Sequence, residues 1–118
     1  MRVHHVAFRT RDLARLEAFY VETLGLTVSR RTDRSVWLDA GGTILMLERM
    51  DANEPGIAEG TREMIAFAIP PGDPRIASLT IEERTSFTVY VRDPDGRRVG
   101  LSSYPTPLEG DPPRLSSS

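Results

Sequence analysis

Val3-His4-His5-Val6-Ala7-Phe8 is followed by Asp12, by the run Leu13-Ala14-Arg15-Leu16-Glu17-Ala18-Phe19-Tyr20-Val21-Glu22-Thr23-Leu24, and then by Gly25. The first run, β-branched and aromatic in its second half, predicts a strand. The second predicts a helix. Asp12 has the short polar side chain that caps a first turn, and Gly25 supplies the left-handed residue that ends a last one. Leu13, Leu16, Tyr20 and Leu24 recur at helical spacing and share a face. Beyond Gly25, residues 26–29 and 35–40 read as strands, and Gly41-Gly42 provides the two positive-φ positions of a tight hairpin into a strand over 43–48. Residues 1–48 therefore spell one βαβββ module.

Residues 49–62 contain Asp51, Asn53, Pro55, Gly56 and Gly60 with no sustained period, which makes them a connector. The order then restarts over 63–104. A strand is predicted at 64–69, a short helix at 73–79 opened by Pro74, and a hairpin of 86–91 with 98–103 across Asp93-Pro94-Asp95-Gly96. Residues 105–118, rich in Pro and Ser, read as a flexible tail. The expectation is a single α+β domain over residues 1–104, in which two βαβββ modules form a curved mixed sheet, a cup, with helices on its outer face.

Composition narrows the function classes. The 118 residues suffice for one compact unit and no more. A formal charge of −2 gives no field to draw nucleic acid or an anionic membrane surface. The chain has no cysteine, which removes thiolate metal sites and thiol nucleophiles and suits a cytoplasmic setting. No apolar stretch has the length of a signal peptide or membrane span.

Strand alternation sorts the side chains. Val6, Phe8, Leu45, Leu47, Ile65, Phe67, Ile69, Phe87, Val89, Val91, Val99 and Leu101 form an apolar face fit to pack under helices. The opposite face is mixed: His5, Ala7, Arg9, Ile44, Met46, Glu48, Met64, Ala66, Ala68, Thr88, Tyr90, Gly100 and Ser102. With Gly41-Gly42 as a two-residue loop, Trp37 falls opposite Met46 and joins it. His4 is assigned to the other face. Arg30, Arg31 and Arg34, with Asp33 among them, read as a solvated charged face.

His5-Val6 with Arg11-Asp12-Leu13, Phe19-Tyr20 and Leu24-Gly25-Leu26 resembles the opening module of the glyoxalase/bleomycin resistance protein/extradiol dioxygenase (vicinal oxygen chelate) superfamily. Asp93-Pro94-Asp95-Gly96-Arg97-Arg98-Val99 is similar to its closing hairpin. The resemblance implies a metal held by one residue from each of four strands. His5 matches the first ligand, but Met46, Met64 and Gly100 occupy the other three positions, and neither a thioether nor a glycine suits a hard or borderline divalent ion. Glu48, on the same strand face as Met46, is the remaining candidate for a reduced His5/Glu48 site.

The function expected is a metal-independent small-molecule-binding protein of the bleomycin-resistance type, without a cofactor and acting as a homodimer. It would sequester an apolar or aromatic ligand against His5, Arg9, Trp37, Met46, Glu48, Met64, Tyr90 and Ser102, with Arg9 as an anchor for an acidic substituent. The alternative is a lyase, isomerase or dioxygenase that uses a divalent metal at His5/Glu48, or metal-free acid–base chemistry by His5, Glu48 and Tyr90. A third reading is an interaction module whose sheet face is covered by another subunit.

Overall fold

A computed structural model describes residues 1–110. The chain divides into two compact units, residues 1–60 with 93–96, and residues 61–92 with the chain from 97 onward. The boundary at 60/61 falls inside the expected connector, whose first part packs with the first unit.

The first unit is a four-stranded sheet in the order β1-β4-β3-β2, with β1 His5–Thr10, β2 Thr27–Arg31, β3 Ser35–Asp39 and β4 Ile44–Arg49. β1 and β4 run parallel; β3 is antiparallel to both β2 and β4. The helix that carries the chain from β1 to β2 follows the crossover logic of a parallel pair. It begins as α1, Leu13–Ala18, with the Asp12 carboxylate accepting from the Arg15 N–H at 3.1 Å. It continues as a π-helical turn over Phe19–Thr23 rather than as the single helix expected to Leu24. Gly25, at φ 82°, lets the Leu26 N–H return to the Tyr20 carbonyl. Leu13, Leu16, Tyr20 and Leu24 are buried, as are Val36, Leu38, Leu45 and Leu47 of the sheet. The alternation thus puts one sheet face under α1 and leaves the other without cover from this unit.

Gly41 and Gly42 form the two-residue hairpin, both at positive φ, with the Asp39 carboxylate accepting from each N–H. That loop fixes the register, and Trp37 lies opposite Met46. On the far side of β3 the register breaks between Val28 and Arg30: a β-bulge at Ser29 places Arg30, not Ser29, opposite Trp37.

The second unit repeats the topology as β5-β8-β7-β6, with β5 Met64–Ala68, β6 Glu83–Arg84, β7 Thr88–Arg92 and β8 Arg98–Ser102. The expected second helix is absent among the described residues. Pro74–Ser78 is a 3-10 turn with no buried residue, capped by Asp73. Five residues leave no room for a helical stripe, and Pro74 removes one donor from them. Val89, Val91, Val99 and Leu101 build the core of this unit. Residues 105–110, expected to belong to a flexible tail, are held against the second unit: Leu108 is buried, its N–H donates to the Ser86 carbonyl and its carbonyl accepts from Gly72. The rest of that expected tail, 111–118, lies outside the described residues.

Candidate functional site

In the first unit the uncovered face is ordered in cross-strand rows. His5 lies beside Ile44 and Asp39; Ala7 beside Met46, Trp37 and Arg30; Arg9 beside Glu48 and Ser35. The middle row is the apolar one. Trp37 is half-buried, its indole N–H donates to the Ser35 hydroxyl at 3.2 Å, and the Arg30 guanidinium lies 5.0 Å from its ring centre.

Glu48, expected within reach of His5, is displaced from it by the register of β1 and β4. Glu48 pairs with Arg9, four residues beyond His5, which at about 3.3 Å per residue is roughly 13 Å along the strand. Its carboxylate lies 3.7 Å from the Arg9 guanidinium. His5 is exposed and meets His4 instead, Nδ1 to Nδ1 at 3.0 Å, with the rings edge to face. The opposite-face assignment of His4 assumed that β1 begins before it; the strand starts at His5, so alternation does not orient His4.

Arg9 was expected to anchor an acidic ligand group, but the connector claims it. Arg9 donates to both oxygens of the Glu54 carboxylate, Nε at 3.0 and 3.3 Å and Nη2 at 2.8 Å, and lies 3.7 Å from Asp51 as well as from Glu48. Glu54 also accepts from the Asp51 N–H, and its own backbone carbonyl accepts from Arg11. The Arg9 hydrogen bonds and then the Asp51 N–H hold the Glu54 carboxyl down at about 2, and the same pairing raises Arg9. One guanidinium among three carboxylates has no charge to spare for a ligand.

In the second unit Met64, Ala66 and Ala68 of β5 line the face that also carries Gly100, Thr88, Tyr90 and Ser102. Met64 is 42% exposed, yet its methyl end lies over Gly100, 2.6 Å from where a Cβ would stand. The notch left by the missing side chain at residue 100 is therefore filled by a thioether. Ser102 accepts from the Thr88 hydroxyl at 2.9 Å. Arg98, only 4% exposed, stacks 4.1 Å from the Tyr90 ring centre and pairs with Glu83 at 2.6 Å.

The residues do not fit the metal site that the fold family implies. Met46, Met64 and Gly100 offer no hard donor, Met64 occupies the space over Gly100, and Glu48 is held by Arg9. Among the described residues no three His, Cys, Asp or Glu side chains are grouped to hold a metal ion.

Arg30 lies beyond the strand expected over 26–29 and reads from sequence as part of a solvated face; β2 in fact runs to Arg31, and the bulge that sets Arg30 opposite Trp37 has no glycine to announce it. Glu54 acts through Arg9, 45 residues away, and a single chain gives no signal of that pairing. Arg98 and Tyr90 are diagonal neighbours across the expected 86–91/98–103 hairpin, a contact that strand alternation alone does not single out.

No helix among the described residues is long and apolar enough to cross a membrane. No curated protein shows a significant match to the sequence. Several solved structures share the fold. Lactoylglutathione lyase from Agrobacterium tumefaciens is 23% identical with a TM-score of 0.66, covering 86% of this chain and 92% of that one. The trypanothione-dependent glyoxalase I of Leishmania major is 25% identical with a TM-score of 0.69, covering 86% of each chain. An integron cassette protein from V. cholerae is 19% identical with a TM-score of 0.69, covering 88% of this chain and 95% of that one. The model of the Glyoxalase/Bleomycin resistance protein/Dioxygenase superfamily matches residues 2–101, and the chain belongs to that superfamily.

Proposed function

We propose that this chain is a metal-independent binding protein that sequesters an apolar or aromatic small molecule, as a homodimer in the cytoplasm. The observation that carries this reading is the Ala7–Met46–Trp37 row on the sheet face that α1 leaves uncovered. It is a flat, polarisable strip with few hydrogen-bonding groups, the composition of a site that takes a planar apolar ligand. Binding there draws on dispersion and stacking against the indole, worth about 1 kcal/mol beyond the area removed from water. The dimer reading is supported by the second unit, where a 3-10 turn stands in place of a helix and Met64 is exposed. A second copy would restore apolar cover.

The alternative, a lyase, isomerase or dioxygenase, draws on the similarity to lactoylglutathione lyase and glyoxalase I. It would need a donor set that Met46, Met64 and Gly100 do not supply, or acid–base work by His5, Glu48 and Tyr90, of which Glu48 is paired with Arg9 and Tyr90 is stacked under Arg98.

The test is elemental analysis after exposure to Mn, Fe, Ni and Zn, with His5→Ala as control, followed by titration of aromatic probes against the fluorescence of Trp37, the only tryptophan. The expectation is no stoichiometric metal, and weaker probe binding by Trp37→Ala by about 1 kcal/mol, roughly fivefold, with little effect of His5→Ala. Stoichiometric metal lost in His5→Ala, or the reverse order of the two variants, would overturn the reading. A concentration-independent monomer in sedimentation would remove the dimer.

A further inference from the structure

Each unit of this protein stacks an arginine on an aromatic ring of the same sheet face: Arg30 on Trp37 in the first, Arg98 on Tyr90 in the second. The two pairs differ in one respect. Arg98 has Glu83 at 2.6 Å and is buried, so its charge is balanced within the unit. Arg30 is exposed, and among the described residues no carboxylate lies within ion-pair distance of it.

This is not a general property of the local arginines. Arg31 pairs with Glu17 of α1, Arg34 with Asp51, and Arg9 with Glu54. The bulge at Ser29 accounts for the division. Ser29 donates its hydroxyl hydrogen to the Trp37 carbonyl at 3.1 Å, Arg30 takes the place opposite Trp37, and Arg31 pairs with Val36 and turns to the helix-covered side, where Glu17 receives it. Bulges bend an edge strand and re-aim a side chain. Here the re-aimed side chain is a cation over an indole, 5.0 Å from the ring centre, with no carboxylate among the described residues within ion-pair distance.

We propose that Arg30 is the specificity-determining residue of the binding strip and selects planar aromatic ligands that bear a carboxylate or a like anion. A ring stacked along Trp37 and Met46 brings a ring substituent to the guanidinium edge. A planar guanidinium offers paired N–H donors that match a carboxylate, and it remains charged throughout the accessible pH range. Arg9, which sequence reasoning assigned to this role, already has three carboxylates around it. The inference rests on the reading of the Trp37 strip as the ligand site.

The experiment compares 4-fluorobenzoate with 4-fluorobenzamide, matched in shape and different in charge, by fluorine NMR line broadening and Trp37 quenching, on the full chain and on Arg30→Gln and Arg30→Lys. The expected result is that the benzoate binds about tenfold more tightly than the amide, as one charge-assisted pair supplies. That ratio should shrink in high salt, fall to near unity in Arg30→Gln, and persist in part in Arg30→Lys. Equal binding of the two probes by the unsubstituted protein, or a tenfold ratio kept in Arg30→Gln, overturns the selection while leaving aromatic binding in place. If neither probe binds even at about 10 mM, where a Kd of a few mM still registers, the binding reading falls and the inference with it.

Discussion

Tyr20→Phe removes a single oxygen from the centre of the first unit. The Tyr20 side chain is fully buried, its ring packs edge-on against Phe19 at 5.0 Å and near Phe8 at 5.9 Å, and its hydroxyl donates to Asp93 Oδ2 at 2.7 Å. Phenylalanine keeps the ring contacts, so the substitution isolates the hydrogen bond. A bond from a buried donor to a carboxylate contributes about 1.5–3 kcal/mol. The lower half applies here, because Asp93 keeps the Asp95 N–H at 2.9 Å and only a small space replaces the oxygen. The expected loss is about 2 kcal/mol, which for a domain of this size lowers Tm by roughly 6–10 °C. Thermal and urea unfolding of Tyr20→Phe, with the m-value unchanged, checks it. A loss below about 0.5 kcal/mol would show that the hydroxyl is satisfied equally well in the unfolded chain and refute the assignment of this bond as the tie between α1's extension and the last turn.

Three further outcomes are expected. Gly100→Ala builds a Cβ 2.6 Å from the Met64 methyl and 3.3 Å from the Ala66 Cβ, so it should cost about 1 kcal/mol, and Met64→Ala in the same chain should recover at least half of that in a double-mutant cycle; additive losses would contradict the packing described. Glu54 titrates near 2 in the folded chain against an ordinary 4.5, so its contribution is present above pH 4.5 and is lost as pH falls toward 2; the Tm difference between the unsubstituted protein and Glu54→Gln should narrow across that interval, and a constant difference would rule out the Arg9 pairing. Asp12→Ala should lower stability by about 1 kcal/mol and Asp12→Asn by much less, as measured by chemical unfolding, since either an aspartate or an asparagine oxygen accepts from the Arg15 N–H.

The first module was readable because local chemistry decides it. Asp12 caps, Gly25 stops, and Gly41-Gly42 turns; each acts on its immediate neighbours, and the register that sets Trp37 against Met46 follows from the length of the loop. The second helix was misread because Pro74 and Asp73 are good opening residues for a helix that then has too few residues to bury a face. The site was harder to read for a reason of range. His5, Glu48 and Arg9 were sorted correctly onto one face, but alternation says nothing of distance along a strand, and a parallel partner entering after a loop of unknown length leaves the offset open. Only the pairing of Arg9 with Glu48 shows that His5 and Glu48 stand two pleats further apart than a shared metal ion would require.

The Tyr20–Asp93 bond also joins the two segments by which this sequence resembles its superfamily. Phe19-Tyr20 and Asp93-Pro94-Asp95-Gly96 are 73 residues apart at their bonded pair, yet the 93–96 turn belongs to the same compact unit as the helix. Each looks like an ordinary local signal, a helical aromatic pair and a hairpin turn. Read together they are the two halves of a buried contact, and a buried phenol admits few substitutes for its acceptor. Met46, on the uncovered face of the first sheet, has no such constraint and need only remain compatible with a strand. The first unit can thus be held by its helix-side bonds while the opposite face of its sheet carries Met46 and the Arg30–Trp37 contact. That division lets the scaffold be shared with glyoxalase-type structures while the residues of the uncovered face differ.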